Sequence, residues 1–422
     1  MNRPFVIAGA GTAGQRAVEV LSEQSDRKIV LVSGEDILPY DRPSLSKSVL
    51  NGKSTVSGLP EHTASWYSQR GVDVLLGTKV TGIDFRQRSV ELSTGVRLEY
   101  ESLLCAPGSR PRELALLKER LGGVCYLREA ADMISISERL ADAEHVVVVG
   151  GGILGSECAS SCWERGLKVT LLASSSCLAE RSIGNTVGKM LVRLHLDHGV
   201  NVLTESKVSS FIGTDEVEGV VLADGTTILC DLVLVAVGSI PNLDMFGALV
   251  AGTVCGGVPV SSSGRLIDQD VCAAGGVYAA GDVASQRSWR TGQWMRNDHW
   301  HSAIIQAEIA ALSMLHTTSP DMSVPYFWTD QLGVRLQSIG SPKRGDTLLM
   351  LGRPDKYECI GLFSRNEEFT GAVSCNDSRS ILRMRRLLQK QTCITITDAR
   401  LSLEGDVVFD SVDNGLRVSD ET

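Results

Sequence analysis

The chain has 422 residues and a mass of 45.3 kDa. At about 150 residues per domain, this length predicts two or three domains rather than one core. Hydrophobic residues make up 43% and charged residues 22% of the chain, which excludes a largely disordered protein. The formal net charge is −9, so no general nucleic-acid-binding role is expected.

Cysteine usage and hydropathy restrict the compartment and the class of protein. The 11 cysteines are irregularly spaced and include no Cys-x-x-Cys pair, so neither a secreted disulfide framework nor a zinc site is predicted. No apolar run reaches the roughly 18 residues that a membrane span needs. We therefore expect a cytoplasmic protein that binds no metal, no nucleic acid and no membrane.

Two stretches of the chain repeat one layout. In the first, the apolar run 5–8 leads through a glycine-rich turn and an amphipathic segment to a second run at 29–32, and in the second, 146–149 leads likewise to 169–172. Each layout predicts a strand, a turn, a helix and a parallel strand, which is the opening of a Rossmann unit. One G-x-G-x-x-G motif is weak support, but two copies in this context predict two dinucleotide sites. The glycines are Gly9, Gly11 and Gly14 in the first copy and Gly150, Gly152 and Gly155 in the second.

The residues around each turn indicate what it binds. Glycine allows the backbone N–H groups at a helix N-terminus to approach a pyrophosphate, which Ala13 would also face. Glu35 lies 21 positions after Gly14, where a carboxylate can accept hydrogen bonds from an adenosine ribose. The second unit has no Asp or Glu from 169 to 179, and its ribose-reading position falls at Ala173–Ser176. The choice between NADH and NADPH is therefore left open.

The remaining sequence predicts how these units are arranged. Apolar runs that end in glycine, at 103–108 and 232–238, mark the places where the chain passes between domains. The tail from 323 onward has strand signals and a basic helical stretch, 379–390, but no phosphate-type glycine turn. The predicted fold class is α/β, with two Rossmann-like dinucleotide-binding domains arranged as in glutathione reductase and a C-terminal α+β domain. The predicted domains are 1–110 with 239–322, 111–238, and 323–422.

Three further segments carry a resemblance that covers essentially the whole chain. They are the proline-rich loop Leu38–Lys47, the segment Gly281-Asp282-Val283-Ala284, and Tyr326–Gln331. In this order and spacing they resemble the ferredoxin reductases of bacterial oxygenase systems. The resemblance implies FAD in the first unit, NADH or NADPH in the second, and a C-terminal domain that flanks the flavin.

The resemblance also implies roles for individual residues. Lys47 would lie near the flavin N5, and Glu157 would pair with it on the nicotinamide side. Gly34 stands where the family often has an acid, so the ribose contact would shift to Glu35. The implied FAD contacts are Ala13, Arg42, Pro43, Lys47, Val80, Ala106, Arg128, Asp282 and Trp300.

The implied activity is hydride transfer from NAD(P)H to FAD, followed by single-electron transfer to a [2Fe–2S] ferredoxin. The ferredoxin would feed a haem-thiolate monooxygenase or a Rieske oxygenase. Basic residues of the stretch 379–390, or the three residues Arg287, Arg290 and Arg296, are candidates for docking an acidic ferredoxin.

Two alternatives share the two-unit layout. A pyridine-nucleotide disulfide reductase or peroxidase needs a reactive cysteine near the first unit, whereas the first cysteine of this chain is Cys105. A non-catalytic flavoprotein resembling apoptosis-inducing factor would be reduced slowly and would act through partner binding. His299 and His301 are not expected to be catalytic, because hydride transfer to a flavin needs no general base.

Overall fold

The computed structural model describes residues 3–116, 121–267, 276–318, 324–390, 394–404 and 417–418. The chain divides into two units. Unit 1 comprises Met1–Ser44, Val56–Arg110 and Ser239–Ser323, and unit 2 comprises Leu45–Thr55, Pro111–Gly238 and Val324–Thr422. The division into three domains stays a prediction.

The helices of the described residues follow the sequence pattern closely around the glycine turns. The N-cap of α1 is Gly11 and that of α4 is Gly152, the second glycine of each turn. The helices are α1 (Thr12–Gln24), α2 (Ala64–Gln69), α3 (Ala130–Arg139), α4 (Ile153–Glu164), α5 (Glu180–Asp197), α6 (Trp300–Met314), α7 (Ser378–Lys390) and α8 (Ile396–Glu404).

Unit 1 contains a parallel sheet of five strands that is buried on both faces. Its apolar runs are typical of such a sheet. Phe5 and Ile7 pack with residues of α1 and α6, whereas Val6 and Ala8 pack on the opposite face. The strand order is Val277–Ala279, Ser102–Cys105, Phe5–Ala8, Ile29–Val32 and Val72–Leu75.

Two smaller sheets of unit 1 share the core of that opposite face. Val90 and Val258, one from each small sheet, belong to the same buried cluster as Val6. The first sheet is antiparallel and contains Val80–Asp84, Ser89–Leu92 and Arg97–Glu99. The second contains Val258–Val260, Ala284–Arg287 and Trp294–Arg296.

Unit 2 repeats the parallel-sheet arrangement. Val147 and Val149 of its central strand pack with Val220 and Leu222 of an antiparallel sheet. The parallel order is Asn201–Leu203, Lys168–Leu172, His145–Val149, Leu232–Val235 and Val124–Tyr126. The antiparallel sheet contains Val208–Ile212, Gly219–Leu222 and Thr227–Leu229.

The C-terminal part of unit 2 is an antiparallel sheet with two helices. Ile381, Met384 and Leu388 of the amphipathic helix α7 are buried with Ile360 and Leu362 of the sheet. The strand order is Tyr326–Gln331, Val334–Gly340, Glu368–Cys375, Glu358–Arg365, Thr347–Arg353 and Arg417–Val418. The predicted α/β class with two Rossmann-like units and an α+β tail is confirmed.

Short elements complete the described chain. The proline-rich loop forms a 3₁₀ turn at Arg42–Ser44 and a π-helical turn at Leu45–Val49. Two short strands, Ser109–Pro111 and Ser239–Pro241, lie where the chain passes from one unit to the other. Further 3₁₀ turns are Val56–Gly58, Asp244–Gly252, Gly281–Val283 and Pro354–Lys356. Among the helices described, we find none with the length and apolar character that crossing a membrane requires.

Candidate functional site

The first glycine turn combines two tightly packed glycines with one open position. Gly9 has a φ of +114°, and a Cβ there would clash with the carbonyl oxygen of Ala106. A Cβ on Gly14 would clash with the carbonyl oxygen of Gly9. At Gly11 an added Cβ would have nothing within 4 Å in the described chain, and the φ of −73° at this position suits any residue. Packing therefore does not require Gly11, and the open space at the N-terminus of α1 suits an anionic group.

The second glycine turn is equivalent position by position. Gly150 has a φ of +126°, and its added Cβ would clash with the carbonyl oxygen of Ala236. Gly155 packs on Gly150 in the same way, and Gly152 is open like Gly11. The two glycine turns therefore fit the pyrophosphates of two dinucleotides, one in each unit.

Unit 1 brings several of the predicted flavin-side residues together. Ala13, at the start of α1, is buried, and an added Cβ on Gly281 would lie 3.5 Å from its Cβ. The adjacent Asp282 accepts a hydrogen bond from Ser109 Oγ at 2.6 Å through Oδ2. Its carbonyl accepts one from Arg296 Nη1 at 3.1 Å. These contacts fix the Gly281-Asp282 turn beside the first glycine turn.

Glu35 is held by the loop that follows it. Its Oε1 accepts a hydrogen bond from Arg42 Nη2 at 2.6 Å, and its Oε2 accepts one from Tyr40 OH at 2.8 Å. These two hydrogen bonds fix the orientation of the Glu35 carboxylate, whose oxygens can each accept more than one hydrogen bond. At Gly34, an added Cβ would lie 3.0 Å from Lys79 Cε, so the side-chain stem of Lys79 lies where the family often has an acid.

The other predicted FAD contacts lie in both units. Val80 begins a strand of unit 1 and packs against its core, and Pro43 belongs to the 3₁₀ turn next to Arg42. Trp300 is half-buried at the first position of α6. Arg128 belongs to unit 2, where its backbone N–H donates to Asp132 Oδ2 at 2.9 Å.

The predicted Lys47–Glu157 pair is formed within unit 2. Lys47 Nζ lies 3.3 Å from Glu157 Oε1, and the two side chains are 23% and 8% exposed. Glu157 comes from α4, two residues after Gly155, and its Oε2 accepts a hydrogen bond from Ser46 Oγ at 2.7 Å. A carboxylate this deeply buried needs several donors to offset its lost hydration.

Sequence reasoning missed the contribution of the strand Tyr326–Gln331 to this pair. Thr329 Oγ1 donates to Glu157 Oε1 at 2.6 Å, and Lys47 Nζ lies 5.5 Å from the centre of the Trp328 ring. Both residues were visible in the Trp-Thr-Asp-Gln segment, but only as a family signature. The available signal was that Thr329 and Gln331 place two polar side chains on one face of a strand.

The strand Lys168–Leu172, which comes after the second glycine turn and α4, is followed by a buried residue, Ala173. Ala173 is fully buried, and an added Cβ on Gly151 would lie 2.5 Å from its Cβ. Of the three serines that follow, Ser175 Oγ donates to the carbonyl of Cys177 at 2.6 Å, whereas Ser174 is exposed. Ser176 is also exposed, but its Oγ accepts a hydrogen bond from Asn185 Nδ2 at 3.3 Å, so we expect a nucleotide 2′ group to be read at Ser174, the first exposed residue after the strand.

The cysteines and histidines near the site do not form a reactive cluster. Cys158 and Cys162 are buried in α4, and burial raises the pKa of both thiols. Burial lowers the pKa of His299. Within the described residues, no group of three or more Cys, His, Asp or Glu side chains is placed to hold a metal ion.

Comparison with known families places the chain. The pyridine nucleotide-disulphide oxidoreductase family matches residues 3–307, and the reductase C-terminal family matches residues 326–403. The chain belongs to the pyridine nucleotide-disulphide oxidoreductase family. The predicted resemblance to the reductases of oxygenase systems is also confirmed.

Individual relatives match most of the chain in sequence. Rubredoxin-NAD(+) reductase of Pseudomonas putida is 33% identical over 375 residues, covering 88% of this chain and 95% of its own. The ferredoxin–NAD(+) reductase component of the biphenyl dioxygenase system of Paraburkholderia xenovorans is 34% identical, covering 82% of this chain and 83% of its own.

A solved structure, the covalent complex of putidaredoxin reductase with putidaredoxin, matches with a TM-score of 0.87 at 26% identity. The match covers 96% of this chain and 99% of that one. The prediction of an FAD-dependent oxidoreductase with a nicotinamide co-substrate is confirmed by the family and by these relatives.

Proposed function

We propose that this chain is an NADH-dependent reductase that passes electrons singly to a [2Fe–2S] ferredoxin, which in turn serves an oxygenase. The observation that carries the proposal is the buried Lys47–Glu157 pair next to the second glycine turn. Relatives whose names give rubredoxin or ferredoxin as the acceptor and NAD(+) as the nucleotide support it. When bound, FAD supplies the conversion between a two-electron donor and one-electron acceptors.

The residues of each unit take separate roles in this proposal. The backbone N–H groups after Gly9 hold the FAD pyrophosphate, Glu35 accepts from its ribose, and Asp282 accepts from its ribitol chain. The turn beginning at Gly150 holds the NADH pyrophosphate. The domains would then be an FAD domain (1–110 and 239–322), an NADH domain (111–238) and a C-terminal domain (323–422). Arg42, Pro43, Val80, Ala106, Arg128 and Trp300 remain proposed FAD neighbours.

Lys47 and Glu157 are the proposed catalytic residues. The ammonium group of Lys47 would place a fixed positive charge beside bound FAD, and a charge that is already in position needs little reorganisation during the reaction. Glu157 holds that ammonium in place while two hydroxyls, from Ser46 and Thr329, hold Glu157. The pair therefore orients a charge without carrying out chemistry of its own.

The decisive experiment compares two lysine–glutamate pairs that join the segment Leu45–Thr55 to α4. Lys53 Nζ lies 2.7 Å from Glu164 Oε2, but Lys53 is 70% exposed. We expect Lys47→Met to slow flavin reduction by NADH at least about tenfold in stopped-flow absorbance, and Lys53→Met to leave it unchanged. Equal rates in the two variants would remove the role of Lys47.

The proposed docking surface for the ferredoxin is the hairpin formed by Ala284–Arg287 and Trp294–Arg296. Arg287 is exposed with its guanidinium 5.0 Å from the centre of the Trp294 ring, and Trp289 at the tip is 40% exposed. Arginine and tryptophan together are typical of interface hot spots, and the cationic groups suit an acidic partner. The acceptor class is tested by measuring NADH-dependent bleaching of a purified [2Fe–2S] ferredoxin and of a rubredoxin in parallel.

Disulfide exchange is not favoured as the second half-reaction. The loop from Pro39 to Lys53 contains no cysteine, and burial raises the pKa of Cys105 far from the range of a reactive thiolate. We also propose a cytoplasmic location, which subcellular fractionation would test.

A further inference from the structure

A line of buried polar side chains in unit 2 leads from the Lys47–Glu157 pair to His195, a histidine that has no part in the proposed function. Thr329 Oγ1 lies 2.9 Å from Gln331 Nε2, and Gln331 Oε1 lies 3.0 Å from His195 Nε2. Gln331 Nε2 is also 3.0 Å from Ser156 Oγ. Thr329 and His195 are 0% exposed and Gln331 is 2% exposed.

The hydrogen bonds along this line have only one consistent direction. Glu157 Oε1 accepts from Thr329 Oγ1 and lies beside Lys47 Nζ, so the single proton of the Thr329 hydroxyl is donated to the carboxylate oxygen. Thr329 Oγ1 must then accept from the amide nitrogen of Gln331, which leaves Gln331 Oε1 as an acceptor. His195 therefore carries its proton on Nε2 and donates it to Gln331.

The side groups of the line fit the same direction. Ser156 Oγ donates to the carbonyl of Gly152 at 3.0 Å, so its lone pairs accept from the second amide proton of Gln331. His195 Nδ1, which has no proton in this tautomer, is buried without a hydrogen-bond partner among the described residues. Each hydrogen bond is therefore donated in the direction from His195 towards the Glu157 carboxylate, so that each bond polarises the next.

We propose that Thr329, Gln331 and His195 are positioning residues that hold the Glu157 carboxylate where it orients Lys47, and so set the rate of flavin reduction. This inference rests on the proposed function of the Lys47–Glu157 pair. His195 comes from α5 and Gln331 from the strand Tyr326–Gln331, so the line joins α5 and this strand to Glu157 of α4. Thr329, Gln331 and His195 make no hydrogen bond to a glycine of either turn, and the Gly152 carbonyl is reached only through the side group Ser156, so we expect the effect on the rate and little effect on nucleotide affinity.

The first test breaks the line in the intact, FAD-loaded protein while keeping its volume. We expect Gln331→Met to lower the limiting rate of flavin reduction by about fivefold to twentyfold with little change in the NADH concentration that gives half of that rate. The matched control is Gln337→Met, because Gln337 is 5% exposed, lies in the neighbouring strand and bonds Tyr326 and Ser378 instead. Equal slowing in the two variants would overturn the proposal.

A second readout does not depend on activity. In ¹⁵N-histidine NMR spectra of the FAD-loaded protein, assigned with His195→Gln, His195 should show a single Nε2–H tautomer. Gln331→Met should shift or mix this tautomer, whereas Gln337→Met should not. A His195 signal that shows the Nδ1–H tautomer in the unaltered protein would contradict the direction of the line.

A double-mutant cycle separates failure of this inference from failure of the proposed function. If the line acts through Glu157, Gln331→Met should slow flavin reduction in the unaltered protein but have no further effect in a Glu157→Gln background. Additive effects would overturn the positioning role alone. If Glu157→Gln itself does not slow flavin reduction, the proposed function of the pair fails, and this inference fails with it.

Discussion

Replacing His195 should remove a large part of the acid sensitivity of the protein. His195 is fully buried in α5, and burial lowers its pKa to about 4 from an ordinary value of 6.5. The nearby His198 acts in the same direction, whereas the hydrogen bond to Gln331 opposes it. The folded state therefore holds a neutral imidazole, and protonation favours the unfolded chain.

The sign and size of the effect follow from these two values. A folded-state pKa below the unfolded one gives stability that is complete above about pH 6.5 and is lost as the pH falls towards 4. With a pKa falling from 6.5 to about 4 and 1.36 kcal/mol per unit, the loss is about 3 kcal/mol. For a unit of this size, such a loss corresponds to roughly 5–10 °C in the unfolding temperature.

Scanning calorimetry of the unaltered protein and of His195→Gln between pH 7.5 and 4.5 measures this contribution. Glutamine keeps an N–H donor for Gln331 but does not titrate, so the unfolding temperature of the variant should fall less steeply as the solution is acidified. His316→Asn serves as the control, because His316 is exposed and its substitution should leave the pH profile unchanged. Parallel profiles for His195→Gln and the unaltered protein would refute the reasoning.

Three further predictions follow from the two glycine turns and the docking hairpin. Gly11→Ala should keep the unfolding temperature of the FAD-free protein, because its Cβ meets only open space, but should weaken FAD binding at least about tenfold in a fluorescence titration, because that space is where the FAD pyrophosphate would lie. Gly14→Ala should lower both the unfolding temperature and the affinity for FAD, because its Cβ meets a carbonyl. Ser174→Arg should shift the ratio of kcat/KM values towards NADPH, and an unmoved ratio would show that the strand end is misassigned. Arg287→Glu should raise the KM for an acidic ferredoxin severalfold at low salt, while the control Arg386→Glu on the exposed face of α7 should not.

The features that could be predicted from the sequence are those written in short segments. The β-branched run Val146–Val149 and the glycines after it specify a strand, a turn and a helix within 20 residues, and the strand His145–Val149 forms as expected. Gly9 and Gly150 show why the pattern is strict, since each has a positive φ and lies against a carbonyl. The positive φ already favours glycine at both positions, so the turns can be recognised from their own residues, although the carbonyls that they lie against come from the distant residues Ala106 and Ala236.

The Lys47–Glu157 pair required a family resemblance, because 110 positions separate the two residues. Neither residue is distinctive by itself, since Lys53 and Glu164 belong to the same segment Leu45–Thr55 and the same helix and form a more exposed pair. Burial and hydrogen bonding by Ser46 and Thr329 distinguish the first pair from the second. These contacts depend on how the strand Tyr326–Gln331 packs on α4, which neither segment specifies alone.

Thr329, Gln331 and His195 show which part of such a site a sequence can still reveal. Alternate polar residues on a strand are usually interpreted as its solvent face, yet here Thr329 and Gln331 are buried while the neighbouring Trp328 and Asp330 are only partly buried. A buried polar face is costly unless each group finds a partner, so its presence implies a matching set of donors and acceptors elsewhere in the chain. Glu157 and His195 are that set, and the cost of leaving any member without its partner explains why polar residues stand at positions where apolar ones would pack as well.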